Sequence, residues 1–188
     1  MRRRSFLRSA AAIVPALGLH DLLARAQEAK PAAQSPKELH VVGAGEDRFG
    51  HPHSLGISTM CFKVSGSETG GSLFLLEHSH LTPGGPALHQ HWSQEEWFYV
   101  VEGEVTFQIG ERRITLRPGE SVLAPRMVPH TFSAVGTVPA RMMIAFCPAG
   151  KMEQYFKDAG SPHPGVSDTE FLRRYDMDYL GPSPFWKS

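Results

Sequence analysis

Several things are scarce in this chain, and each scarcity narrows its function. Only two cysteines, Cys61 and Cys147, occur among 188 residues. A thiolate metal cluster or a dense disulfide scaffold is thereby excluded. No run of 18 or more apolar residues occurs, so a permanent membrane-spanning helix is not expected. The body of the chain lacks a basic cluster. Arg2, Arg3, Arg4, Arg8 and Arg25 stand in the first 26 positions against one acid, Asp21, leaving 14 basic and 18 acidic residues in the remainder. A mildly acidic body without a basic stripe argues against nucleic-acid binding. No internal repeat is present, and the length suits one domain.

What is plentiful points to β structure. Eighteen glycines and fifteen prolines favour a turn-rich fold over a helical one. From residue 39 to residue 148 short strand-like runs alternate with turn signals. The candidates are Leu39–Val42, Ser58–Val64, Gly71–His78, Ala87–Trp92, Glu96–Glu102, Glu104–Ile109, Arg112–Leu116, Ser121–Ala124, His130–Ala134 and Ala140–Cys147. Val105, Phe107 and Ile109 alternate with polar residues, the mark of a strand with one buried face. Strands this short and regular predict a sandwich or barrel over residues 38–150.

Residues 1–26 read as an export signal. Arg3-Arg4-Ser5-Phe6-Leu7-Arg8 has the pattern of a bacterial twin-arginine signal, Ala10 to Leu23 is modestly apolar, and Ala24-Arg25-Ala26 fits a cleavage site. The expected location is periplasmic or secreted. Twin-arginine substrates cross the membrane folded, so a bound metal would be chosen in the cytoplasm, shielded from tighter-binding ions outside. Residues 27–37 read as a flexible leader. Beyond Pro148, Met152–Lys157 and Ser167–Arg174 are short helix candidates, the second with a capping box from Ser167 and Glu170. Residues 151–188 are expected to pack on the barrel, with Tyr175–Phe185 too rich in Gly and Pro for regular structure. Cys61 and Cys147 both lie in strand-like text, where they suit either a disulfide or two small apolar side chains.

The chemistry is concentrated in two stretches, Pro83–Glu104 and Arg117–His130. His89 and His91 share a strand parity, so both can face inward. With Glu96 and His130 they make three imidazoles and one carboxylate, a set suited to one divalent transition metal. Nitrogen and oxygen donors leave Mn, Fe, Ni, Co, Cu and Zn all compatible. Four protein ligands would leave two open positions on an octahedral ion and none on a tetrahedral one. Phe98 shares the parity of Glu96, and Phe132 that of His130, so both rings are expected to form an apolar wall of the substrate pocket. Trp97 and Tyr99 are expected to point outward. His51, His53, His78 and His80 also show the H-x-H spacing, but their loop or strand-end settings favour surface roles. Glu77 ends an apolar strand and is a candidate supporting group for the site.

Both stretches resemble the cupin family. Its first motif, G-x5-H-x-H-x(3,4)-E-x6-G, is matched by His89, His91, Glu96 and Gly103, with Gly84 displaced by one position. Only Glu96, not Glu95, gives the six-residue gap to Gly103. The second motif, G-x5-P-x-G-x2-H-x3-N, is matched by Gly119, Pro125 and His130, while Met127 replaces its glycine and Ala134 its asparagine. Met127 predicts an ordinary rather than left-handed backbone there. The resemblance implies an all-β double-stranded β-helix (jelly-roll) barrel with one or two short C-terminal helices, the metal near its mouth, and a homodimer. Phe146–Phe156 and Tyr175–Pro184 further resemble bacterial quercetin 2,3-dioxygenase-like cupins. That resemblance implies a metal-dependent dioxygenase acting on an enol or phenol with oxygen, Glu96 serving as ligand and base. A non-redox lyase, isomerase or decarboxylase, and a periplasmic binding protein without turnover, are the alternatives.

Overall fold

The computed structural model describes residues 39–160 and 168–186. The predicted signal (1–26), the leader (27–37) and the predicted cap Ser167 lie outside the described residues. The chain divides into two units, residues 1–40 and 41–188, and the fold is that of the second.

Among the described residues, eleven strands and two short α-helices follow one another: β1 (His53–Ser54), β2 (Thr59–Val64), β3 (Phe74–Leu81), β4 (Leu88–His91), β5 (Glu95–Glu102), β6 (Val105–Ile109), β7 (Arg112–Leu116), β8 (Ser121–Ala124), β9 (His130–Ala134), β10 (Ala140–Cys147), α1 (Met152–Ala159), α2 (Asp168–Arg173) and β11 (Met177–Gly181). They form two antiparallel sheets, ordered β1-β2-β3-β10-β5-β8 and β11-β4-β9-β6-β7. The architecture is an all-β jelly roll with short C-terminal helices.

Period-two alternation builds the core. Along β10, Ala140, Met142, Ile144 and Phe146 are buried while Arg141, Met143 and Ala145 are only half-buried. On the facing sheet Val105 and Phe107 of β6 and Phe132 of β9 are buried. Phe98 packs on Phe107 with ring centroids 4.9 Å apart and on Phe132 at 5.6 Å. Rings in such tilted and edge-on contact stabilise beyond their area alone. Trp97 and Tyr99 point outward and stack on each other at 5.8 Å, with Trp97 exposed.

Glycine matters most at two tight places. Gly103, in the turn between β5 and β6, has φ 72°, and an added Cβ would meet Ala140 at 3.0 Å. Gly85 has φ 68°, and a Cβ there would sit 1.7 Å from the Phe132 carbonyl oxygen. The tight glycine before the H-x-H strand is therefore Gly85, next to the Gly84 that sequence spacing selected. It lets the loop before β4 lie directly on β9.

The structure departs from the sequence reading in four places. Leu39–Val42 belongs to no sheet, whereas the two-residue β1 pairs with β2. Met177–Gly181, expected to be irregular, is a strand that pairs with β4: Met177 opposite His91, Asp178 opposite Gln90 and Tyr179 opposite His89. Backbone hydrogen bonding to an open strand edge outweighs the local Gly and Pro content. Met127 has φ 61°, left-handed after all, because the turn retains the geometry that the missing glycine would have taken. Cys61 is buried, Cys147 is exposed, and both thiols are free.

Candidate metal centre

Three strands and one turn assemble the cluster. β4 carries His89 and His91 at alternate positions, so both side chains leave the same face. β9 lies beside β4, with His130 directly opposite His89. β5 belongs to the other sheet and delivers Glu96 from across the barrel. The turn before β9 is tied to β4 by the Met127 amide, which donates to the His91 carbonyl at 2.8 Å. The four side chains offer ligand atoms within 4.8 Å of one another. His91, Glu96 and His130 are buried, and His89 is half-buried.

Tautomers follow from the backbone. Nδ1 of His89 donates to the Ala87 carbonyl at 2.8 Å, and Nδ1 of His130 donates to the Val128 carbonyl at 2.8 Å. Each neutral ring then carries its proton on Nδ1 and turns a lone pair on Nε2 inward. Carbonyls that orient ligand imidazoles in this way are typical of metal sites. Glu96 Oε2 lies 3.0 Å from His91 Nε2 and 2.8 Å from His130 Nε2. A neutral His130 has no proton left to donate to that oxygen. The approach therefore calls for a positive charge, either an imidazolium or a cation among the three groups. A divalent ion fits the donor set and the inward lone pairs.

Electrostatics agree with this picture. Burial pulls the His89 imidazole down to about 3, and the neighbouring His130 and His91 rings reinforce the shift. Burial pushes the Glu96 carboxyl up, but hydrogen bonding and charge from His130 and His91 outweigh it and hold the group below the usual carboxylate range. His89 is thus held neutral and Glu96 ionised, the forms that bind metal.

Beside the cluster lies a cavity of about 40 Å³. His89, His91 and Glu96 form one part of its wall, and Phe132 and Phe146 continue it. Met152, Tyr155 and Phe156 of α1 and Met177 of β11 close it. Leu55, Ile57, Pro86 and Tyr155 separate it from an outer groove of about 270 Å³ between the helices, Tyr179 and Trp186. That space inside holds a few waters at most. Among the described residues, no Lys or Arg lines it.

Two residues named from the sequence sit differently from expectation. Phe98 does not line the cavity; it lies deeper in the core, with its ring 6.3 Å from that of His130, because Phe107 and Phe132 claim it. Glu77 faces the opposite side of β3, where it pairs with Lys63 at 2.9 Å and accepts from the Gly45 amide. Its parity is opposite to that of the interior residues Leu76 and His78.

His78 was misread from sequence. It lies within β3 rather than at a strand end, is 2% exposed, and lines the cavity. Phe74, Leu76 and His78 share one parity, and that alternation was the available signal. His51 and His80 are exposed, as expected of surface histidines, while His53 is half-buried and stacks on Phe62 at 4.6 Å.

Residues 77–146 match the family described as Cupin domain. An uncharacterised protein of Methanocaldococcus jannaschii is 26% identical over 61 residues, which are 32% of this chain and 49% of that relative. The chain therefore spans about half the length of the curated relative it matches. Among solved structures, KdgF from Halomonas sp. aligns with TM-score 0.50 and 17% identity over 60% of this chain and 94% of that one. A predicted oxalate decarboxylase from Thermotoga maritima aligns with TM-score 0.52 and 17% identity, covering 58% and 99%. An RmlC-like cupin from Shewanella frigidimarina aligns with TM-score 0.51 and 18% identity, covering 62% and 96%. At these identities the likeness concerns the fold. The segment that matches the Cupin domain family contains all four residues of the His89, His91, Glu96 and His130 cluster.

Proposed function

We propose that this protein is a metal-dependent dioxygenase acting on a small enol or phenol whose hydroxyl adjoins a carbonyl. The observation that carries the reading is the make-up of the cavity. His89, His91 and Glu96 of the four-residue cluster form one wall, and apart from His78 and Tyr155 the rest is apolar. His89, His91, Glu96 and His130 would hold the ion. A bound divalent ion supplies Lewis acidity to a coordinated hydroxyl and, if redox-active, access to oxygen chemistry.

The protein's own residues then have distinct tasks. Glu96 accepts or shares the substrate's hydroxyl proton on a carboxylate oxygen. Ala87 and Val128 carbonyls keep His89 and His130 aimed inward. Phe132, Phe146 and Phe156 keep water from the electron-rich anion that deprotonation leaves. Even a hydroxypyrone exceeds a cavity of this size, and a flavonol more so, so either requires the wall around Tyr155 to open toward the outer groove. The name of the Thermotoga protein raises oxalate as a substrate class. The absence of Lys and Arg among the described lining residues disfavours such a dianion, whose charge the ion alone would have to balance.

Export by the twin-arginine route, with the ion loaded beforehand, forms part of the same proposal and is supported by residues 3–8. The test is an oxygen electrode. Metal-loaded protein should consume oxygen in proportion to a hydroxypyrone or flavonol, and Glu96→Gln should not. Substrate loss without oxygen uptake would instead favour the lyase or isomerase reading.

A further inference from the structure

The strongest unassigned feature is His78. Its Nδ1 lies 2.9 Å from the Ser58 hydroxyl, so the ring is held from behind. Its Nε2 is buried and has no hydrogen-bond partner among the described residues. The ring stands edge-on to Phe132 at 5.9 Å and to Phe156 at 6.2 Å, and it lines the same cavity as His89, His91 and Glu96. It comes from β3, in the sheet opposite the three histidines of the cluster.

A buried polar atom without a partner destabilises a fold, and an apolar side chain at this position would remove the penalty. Three neighbouring phenylalanine positions, Phe74, Phe132 and Phe156, show that rings pack well in this region. A histidine held by a serine is a different solution, and it presents one nitrogen to the cavity. Ser58 can donate to Nδ1 or accept from it, so Nε2 suits either a carbonyl or a hydroxyl.

We propose that His78, oriented by Ser58, is the specificity-determining contact for a second, uncharged oxygen of the substrate, on the side of the cavity away from the metal-binding oxygens. The proposal rests on the reading of the cluster as a metal site that takes an oxygen chelate. It adds a requirement: the substrate carries a further carbonyl or hydroxyl beyond the chelating pair. Burial pulls the imidazole down to about 4, against a raising influence from Glu96, so the ring is neutral at pH 7 and gives a carboxylate no ionic preference.

The test uses two hydroxypyrones that differ by one hydroxyl, kojic acid and allomaltol. Cobalt(II)-loaded protein is titrated with each under nitrogen, and binding is read from the visible bands of the ion. The wild type should prefer kojic acid about tenfold, the scale of one hydrogen bond made in place of an unpaired buried group. His78→Leu should bind both equally, with its affinity for allomaltol and its cobalt content unchanged. His78→Gln, which keeps a polar tip, should retain part of the preference, and Ser58→Ala should weaken it. These two variants carry the test if His78→Leu does not fold. Equal wild-type affinities, no binding of either compound, or a preference that survives in every variant overturns the proposal. Because oxygen uptake is not read, discrimination by His78 without uptake would remove the dioxygenase reading and leave this one.

Discussion

His130 Nε2 lies 2.8 Å from Glu96 Oε2, while the same ring donates from Nδ1 to the Val128 carbonyl. Both nitrogens of one imidazole are thus engaged by acceptors, so a positive charge is needed between ring and carboxylate. The first prediction follows. Wild-type protein should hold close to one divalent ion per chain by elemental analysis, and Glu96→Ala or His130→Ala should lose most of it. Metal should raise the melting temperature of the wild type, since a ligand that binds only the folded state stabilises it. An unchanged melting temperature over a panel of Mn, Fe, Ni, Co, Cu and Zn would contradict the assignment.

His78 sets a pH dependence in metal-free protein. Its folded pKa is about 4, below the ordinary 6.5. Between those values the unfolded chain binds the extra proton, so stability is full above pH 6.5 and is lost as pH falls toward 4. The size is about 3 kcal/mol at most. His89 acts in the same direction, down to about pH 3. Urea denaturation of the apoprotein at pH 7 and pH 4.5 should therefore show a large loss, and His78→Leu should show a visibly smaller one. Equal losses in both proteins would mean that His78 is not neutral in the fold.

Two turn substitutions should act in opposite directions. Gly85→Ala places a methyl group 1.7 Å from the Phe132 carbonyl oxygen at φ 68°. It should cost more than about 3 kcal/mol or prevent folding, since backbone must move on both sides. Met127 carries a side chain at φ 61° and is 55% exposed. Met127→Gly relieves that conformation with little packing loss, so it should be neutral or stabilising by up to about 1 kcal/mol. Chemical denaturation of both variants measures the pair.

Tyr155 is shared between the inner cavity and the outer groove. Tyr155→Ala should join the two spaces. Affinity of the metal-loaded protein should then rise for both a small hydroxypyrone and a flavonol, and at least severalfold for the flavonol. Calorimetry distinguishes this from a general loosening, which would weaken both.

Much of the site was legible because its residues obey a local rule. Alternation on one strand places His89 beside His91, and the same rule correctly turns Phe132 inward and Trp97 outward. What escaped depended on partners distant in sequence. Met177–Gly181 is a strand only because β4 offers an open edge nearly ninety residues earlier. Glu77 and His78 are adjacent in sequence and opposite in facing, so a shift of a few residues in the bounds of β3 exchanges their roles. Met127 shows that a backbone conformation can outlast the residue best suited to it. Phe98 had the right facing but lies too deep, a matter of layer rather than parity.

The pairing of β11 with β4 also bears on biosynthesis. One edge of the strand that carries His89 and His91 is covered only by Met177–Gly181. On the ribosome, at roughly 5–20 residues per second, several seconds separate the making of these two segments. Throughout that interval the histidine strand has an unguarded border, and Met177 is missing from the wall of the cavity. A finished cavity is therefore a late product of translation, completed only after Met177–Gly181 has been made.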